Sequence, residues 1–394
     1  MHLGKRLQAL FSAIAVIGSL QLAQAAWAVD RATESSWNIS GDARLAYTPL
    51  WRDDRDGSSL SRDGFGARFR LRLQRELNSK WNVQTRFAAT AADQNNDFDL
   101  FLQPERQGGT AVTPGTATLD ELFLQYRSPN GRTQIRLGRQ QSSTDRALVT
   151  NKNLDRQQTS NVNIGWTDGL SLVQALERGW KATLFLEYNS RNGNGSNTRG
   201  PIDFTNAGSR ISGFISLENQ ESLGPIIFRA LSLTWYPDAL AVKGLNDSRR
   251  DDYLTLTAKL AAGWDVGHVI GSDATRLVIG GEIGYAPNRQ RAFVSNLPGR
   301  AEVGGSGWQL GADLHDFLPA HKIGIVYGRA DAGWLISNAF RQNEEQVELR
   351  WQWRFAPNWR VEYRARWRYE LELLDGAQQR RRDRDMRLRF TYRF

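Results

Sequence analysis

The sequence predicts an all-β chain: a transmembrane, antiparallel, up-and-down β-barrel of about sixteen strands. Three observations predict it. Polar and apolar residues alternate along many segments, turn-forming clusters recur in a short–long rhythm, and the N-terminus reads as an export signal. The alternation is plainest in the segment Asp385 to Phe394. There Leu388, Phe390, Tyr392 and Phe394 fall on one face of a strand, and Arg387, Arg389, Thr391 and Arg393 fall on the other. Successive side chains of a strand point to opposite faces, so this strand suits lipid on one side and water on the other.

Taken in order, Lys5 and Arg6 precede an apolar stretch from Leu7 to Leu22, and small residues follow at Ala23-Gln24-Ala25 and Ala26-Trp27-Ala28. That is the form of a secretory signal. Residues 1–25 are expected to be removed, with Ala28 as the alternative cleavage position, and residues 26–394 to form one domain. The apolar run is shorter than the ~20 residues a spanning helix needs.

The first strand carries Asp42 and ends at the polar stretch 50–63. On strand 2, Phe65, Ala67, Phe69, Leu71 and Leu73 oppose Arg68, Arg70 and Arg72. The turn Leu77-Asn78-Ser79-Lys80 leads into strand 3, with Arg86; the stretch 94–117 and the turn Pro129-Asn130-Gly131-Arg132 bracket strand 4. Strand 5 carries Arg136 and runs into the stretch 141–160. Short turns at Glu177-Arg178-Gly179, Leu223-Gly224-Pro225, 268–275 and Leu318-Pro319-Ala320-His321 then alternate with long stretches at 191–208, 237–250, 287–305 and 335–344. These clusters of Asn, Gly, Pro and Ser reverse the chain because they tolerate the backbone angles that tight turns need. On strand 14, Val347, Leu349, Trp351, Trp353 and Phe355 oppose Glu348, Arg350, Gln352 and Arg354. After the turn Ala356-Pro357-Asn358, strand 15 sets Val361, Tyr363, Ala365, Trp367 and Tyr369 against Arg360, Glu362, Arg364, Arg366 and Arg368; the stretch 374–384 leads to strand 16. About 369 residues after cleavage leave ~23 per strand and connection, which suits tilted strands of ~9–11 residues. Counts of about fourteen or about eighteen strands stay open, since pattern fixes boundaries loosely.

Composition bounds the function. Mean hydropathy is −0.53, which a barrel reaches because inward polar residues cancel outward apolar ones. There is no cysteine, so neither disulfides nor thiol chemistry contribute. The formal net charge is +9, carried mostly by arginine. Export removes nucleic acid from the partners such a charge suggests, leaving anionic membranes and anionic solutes. Fourteen Trp and ten Tyr, with Trp81, Trp180, Trp359 and Tyr236 flanking connections, suit two interfacial girdles.

A sixteen-stranded barrel is too wide for its own side chains to fill, so the inward face is the functional surface. Arg68, Arg70, Arg72, Arg350, Arg354, Arg360, Arg364, Arg366, Arg368, Arg387 and Arg389 would form one electropositive wall, because closure brings strand 16 beside strand 1; Arg86 and Arg136 extend it. Guanidinium stays charged and grips carboxylate or phosphate as a fork. The acids Asp42, Glu348, Glu362, Glu370 and Glu372 offer partners that would stiffen this wall, but arginine exceeds them. Catalytic readings are thin: His268, His315 and His321 sit at turns or strand ends, and neither a Gly-x-Ser-x-Gly elbow nor a His-Glu-x-x-His motif occurs.

The aromatic C-terminal strand, the loop rhythm and the segment Gln134-Ile135-Arg136-Leu137-Gly138-Arg139-Gln140 together resemble a Gram-negative outer-membrane porin. That segment, with Trp166-Thr167-Asp168-Gly169-Leu170, is also similar to the alginate-export barrels, in which an arginine-lined lumen passes a polyuronate. Exporters of that family are expected to have two strands more. The porin resemblance implies the outer membrane, with lipid and lipopolysaccharide around the barrel. It also implies recognition of the strand ending at Phe394 by the barrel-assembly machinery, and action alone or as a homotrimer. No cofactor or metal is implied. The cargo would be small hydrophilic, preferentially anionic solutes crossing by diffusion. The loop after strand 5 would fold inward and narrow the channel, placing Asp145, Arg146, Lys152, Asp155 and Arg156 in a near-neutral, slightly basic constriction; lying over the mouth is the alternative. An exporter of an anionic polysaccharide and a barrel enzyme stay as second and third readings.

Overall fold

The computed structural model describes residues 37–92, 99–100, 116–141, 152–155, 166–189, 200–204, 210–243, 249–267, 274–297, 299, 301–337 and 339–394. The expected signal, residues 1–25, and the loop residues Asp145, Arg146 and Arg156 lie outside them. Sixteen strands build the wall: β1 (Trp37–Tyr47), β2 (Phe65–Glu76), β3 (Trp81–Ala92), β4 (Thr116–Arg127), β5 (Thr133–Gln140), β6 (Thr167–Ala175), β7 (Trp180–Tyr188) and β8 (Ile211–Asn219), then β9 (Ile226–Leu240), β10 (Asp251–Asp265), β11 (Arg276–Tyr285), β12 (Ser306–His315), β13 (His321–Ala330), β14 (Glu344–Ala356), β15 (Trp359–Glu370) and β16 (Arg382–Arg393). Each pairs antiparallel with its sequence neighbour, and β16 returns to β1 with Asp42 opposite Arg393 and Leu45 opposite Phe390. Phe394 extends this seam: its N–H donates to the Gly41 carbonyl at 3.2 Å and its carbonyl accepts from the Gly41 N–H at 2.8 Å. Closure leaves no row of unpaired backbone groups, the condition for a sheet to cross hydrocarbon.

Alternation sorts the two faces as expected. Outward Leu122, Leu137, Ile211, Leu231, Leu260, Ile283, Leu310 and Ile325 are all exposed. So continuous an apolar exterior fits a lipid solvent and not water. Near the turn side, rings pack in a row around the outside: Trp353 to Phe355 at 5.4 Å, Phe355 to Trp359 at 6.1 Å, and Trp359 to Tyr392 at 4.8 Å. Tyr236 does not join such a girdle. It is 2% exposed and faces inward against Phe204 and Tyr253, because even-numbered positions of β9 point into the barrel.

The stretch 50–63 is more regular than its polar composition suggests. Leu50–Asp53 and Ser59–Arg62 form a hairpin, and its first strand takes over from β1 in pairing with the upper end of β16. Asp56-Gly57 makes the reversal, with Gly57 in the left-handed region at φ 83°. A two-residue strand, Asp99–Leu100, pairs parallel with β4.

Candidate functional site

The inner wall of β14, β15, β16, β1, β2, β3 and β4 is one continuous arginine–carboxylate lattice. Glu362 accepts from Arg387 at 2.6 Å and from Arg389 at 2.8 Å. Asp385 binds Arg364 and accepts from Arg366 at 2.8 Å; Arg368 reaches Asp383 at 3.0 Å. Across the seam, Asp42 lies 2.8 Å from Arg68 and 3.0 Å from Arg44. Register explains these contacts. Arg364 sits opposite Arg387 and Glu362 opposite Arg389, so charges of both signs meet on the inward face of neighbouring strands.

Strict alternation fails once, and that failure supplies two acids. A register shift between Arg86 and Phe87 inserts Asp120 as an extra residue on β4, so Asp120 and Glu121 both turn inward. Arg86 grips Asp120 at 2.8 Å and Glu121 at 2.8 Å; Arg70 adds to Asp120 at 3.1 Å and Arg72 to Glu121 at 3.4 Å.

The lattice is tightly packed. Arg68 and Arg387 are each 1% exposed, and Arg70, Arg86, Arg350, Arg364, Arg368 and Arg389 are also buried. Arg72, Arg136, Arg360 and Arg366 are half-buried, and Arg354 is exposed. All of these predicted arginines point inward. Arg136 stands apart from the lattice, stacking over Phe123 at 5.0 Å and donating to Gln125 at 2.8 Å. Arg354 and Arg360 have no carboxylate within salt-bridge distance among the described residues. Glu372, expected on the wall, lies beyond the end of β15, where its N–H donates to Asn343.

The loop after β5 folds into the barrel at its described residues, 152–155. The Lys152 ammonium lies 2.7 Å from Glu348 on β14, and Asp155 binds the Lys259 ammonium on β10 at 2.7 Å. Asp155 also accepts from Ser232 at 2.9 Å and Thr257 at 3.0 Å, and the Leu154 N–H donates to Glu282 at 2.9 Å. Burial pushes the Lys152 ammonium down to about 7, against the opposing pull of Glu348. Burial alone would raise the Asp155 carboxyl; Lys259 and the two hydroxyls override it and hold the group below its ordinary value.

A second inward loop escapes the sequence reading. In the connection from β13 to β14, Trp334, Leu335, Ile336 and Phe340 are buried with Leu154, Ile202, Tyr236, Leu240 and Tyr253 in an apolar cluster inside the barrel. The wall makes room for it with glycine. A Cβ at Gly284 would meet the Trp334 ring at 2.4 Å, and one at Gly328 would meet Phe340 at 2.5 Å. The Trp334 indole N–H donates to the Leu154 carbonyl at 2.9 Å, tying both loops together. The signal in the sequence was the apolar run Trp334-Leu335-Ile336 in a connection, facing Gly-rich inward positions on β11, β12 and β13.

The barrel, with its apolar exterior, charged interior and inward loops, has the fold of solved outer-membrane porins. OprB of Pseudomonas putida aligns with 91% of this chain and 94% of its own at a TM-score of 0.60 and 11% identity. An anion-selective porin from Comamonas acidovorans aligns with 92% of this chain and 100% of its own, at 0.52 and 12% identity. OccK8 (OprE) of Pseudomonas aeruginosa aligns with 91% and 98%, at 0.54 and 10% identity. No protein-family model and no curated protein sequence matches the chain.

Proposed function

We propose that the chain is an outer-membrane porin that passes small hydrophilic solutes by diffusion and favours anions. The observation that carries this reading is a closed barrel with a lipid-like exterior and an inner wall dense in arginine, part of it left without acid partners. Charged walls in a narrow pore set the sign of what enters. Most wall guanidiniums are paired, but Glu362, Asp385 and Asp42 are each shared by two or three of them, so the lattice keeps positive charge to which the arginines unpaired among the described residues add. The fold is shared with a Comamonas protein described as an anion-selective porin, which supports the same preference here. Export of a polyuronate fits less well. The inward loops occupy part of the lumen, and the sixteen strands fall short of the number expected for that family.

Reconstituted liposomes test the reading by solute uptake. A small carboxylate should enter faster than a neutral solute of equal size, on the order of 10-fold, from local enrichment by the positive wall. Equal rates, or faster entry of a matched cation, would refute the anion preference; no uptake of any solute would refute the porin.

A further inference from the structure

At the turn-side mouth, beyond the paired lattice, lies a cavity of about 220 Å³ lined by Arg354, Arg360, Arg393, Thr391, Asn358 and Trp359, with Pro357. Arg360 sits directly opposite Thr391 across β15 and β16, and Arg393 follows two residues later on the same inward face. The Arg393 N–H donates to the Asn358 carbonyl at 2.9 Å, which fixes the strand end against the turn. Arg354 lines the cavity from β14, beside a register shift between Trp353 and Ala356. Arg360 lies within electrostatic reach of Glu362 first, and then of Arg393, Arg350 and Arg354.

Among the described residues, no acid closes this cluster at salt-bridge distance, although Glu362 acts on Arg360 from further off. Glu362, next along the inward face, is already shared by Arg387, Arg389 and the Gln352 amide. Among the described residues, Arg354, Arg360 and Arg393 have no carboxylate within salt-bridge distance. The Thr391 hydroxyl, on a residue 2% exposed, has no hydrogen-bond partner among the described residues. Three like charges held together repel, and a buried hydroxyl left unpaired costs free energy. Both are relieved by one guest with several acceptor oxygens and more than one negative charge. Guanidinium forks match such an oxyanion, whereas chloride offers a single charge and no directed acceptors.

We propose that Arg354, Arg360, Arg393 and the Thr391 hydroxyl form a discrete binding site for a doubly charged oxyanion of the phosphate type. It rests on the porin reading for access through the lumen, but not for binding itself. A permeating oxyanion pauses here before leaving on the turn side.

The test uses the intact barrel and inorganic phosphate. In a planar bilayer at fixed KCl, phosphate should reduce the chloride current saturably, whereas sulfonate buffer of equal ionic strength should not. The double substitution Arg360→Gln with Arg393→Gln should raise the half-blocking phosphate concentration by on the order of 10-fold or more. Thr391→Val, which keeps the shape, should raise it by a smaller factor. Calorimetric titration of phosphate into detergent-solubilised barrel reads the same site without conduction. Absent chloride current with retained phosphate binding would sink the porin reading and keep the site. A linear phosphate effect, or equal phosphate affinity in wild type and both variants, would overturn the site.

Discussion

Glu362 shows how the wall is held together at the scale of single residues. One buried carboxylate serves Arg387, Arg389 and Gln352, with Arg350 at 3.9 Å. Removing one member of a buried charge cluster leaves the others uncompensated, at a cost of ~3–5 kcal/mol. Glu362→Gln is therefore expected to lower the unfolding midpoint in detergent and to make the pore more anion-selective. Unchanged stability and selectivity would show that water solvates these guanidiniums independently of Glu362. The arginines of the wall were legible in the sequence, since Arg364, Arg366 and Arg368, like Arg387 and Arg389, repeat at a spacing of two. Their partners were only half legible. Glu348 and Glu362 follow from alternation, but Asp120 and Glu121 share the inner face only because of a bulge, which alternation cannot foresee.

Between elements, the loop after β5 is latched rather than free, and Asp155 is the latch. Its carboxylate meets Lys259, Ser232 and Thr257 on β10 and β9, so it ties one loop to two strands. Its pKa in the docked state is held below the ordinary 3.8. The docking it contributes is thus fully present above that ordinary value and is lost as pH falls through the lower, docked-state value. Conductance should turn noisy or larger in strong acid, once pH falls below the ordinary 3.8 of that carboxyl. Asp155→Asn should show the noisy behaviour already at neutral pH. A variant as quiet as the wild type there would mean that the Lys152–Glu348 pair, the Leu154–Glu282 hydrogen bond and the apolar cluster around Trp334 hold the loop without it. That cluster explains why loops were the less legible elements. Periodicity assigns faces to strand residues, but it does not say that Trp334, Leu335 and Ile336 in a connection will turn inward onto glycines of β11, β12 and β13.

For the whole molecule, sidedness and closure do most of the work, and both could be read from the chain. The short–long rhythm gave the strand count, and the pairing of β16 with β1 joins the basic faces into one wall across the seam. What the pattern could not supply is how far that wall is neutralised. This depends on side-chain reach across neighbouring strands, and it decides how much positive charge remains to act on solutes. Carboxylates shared between arginines, together with Arg136 and the turn-side Arg354, Arg360 and Arg393, leave the wall positive, so the pore as a unit should prefer anions. The reversal potential of the wild-type channel in a KCl gradient tests this most directly. The potential should be displaced toward the equilibrium value for chloride; displacement toward that for potassium, or the absence of any conductance, would contradict an arginine-lined, anion-selective pore.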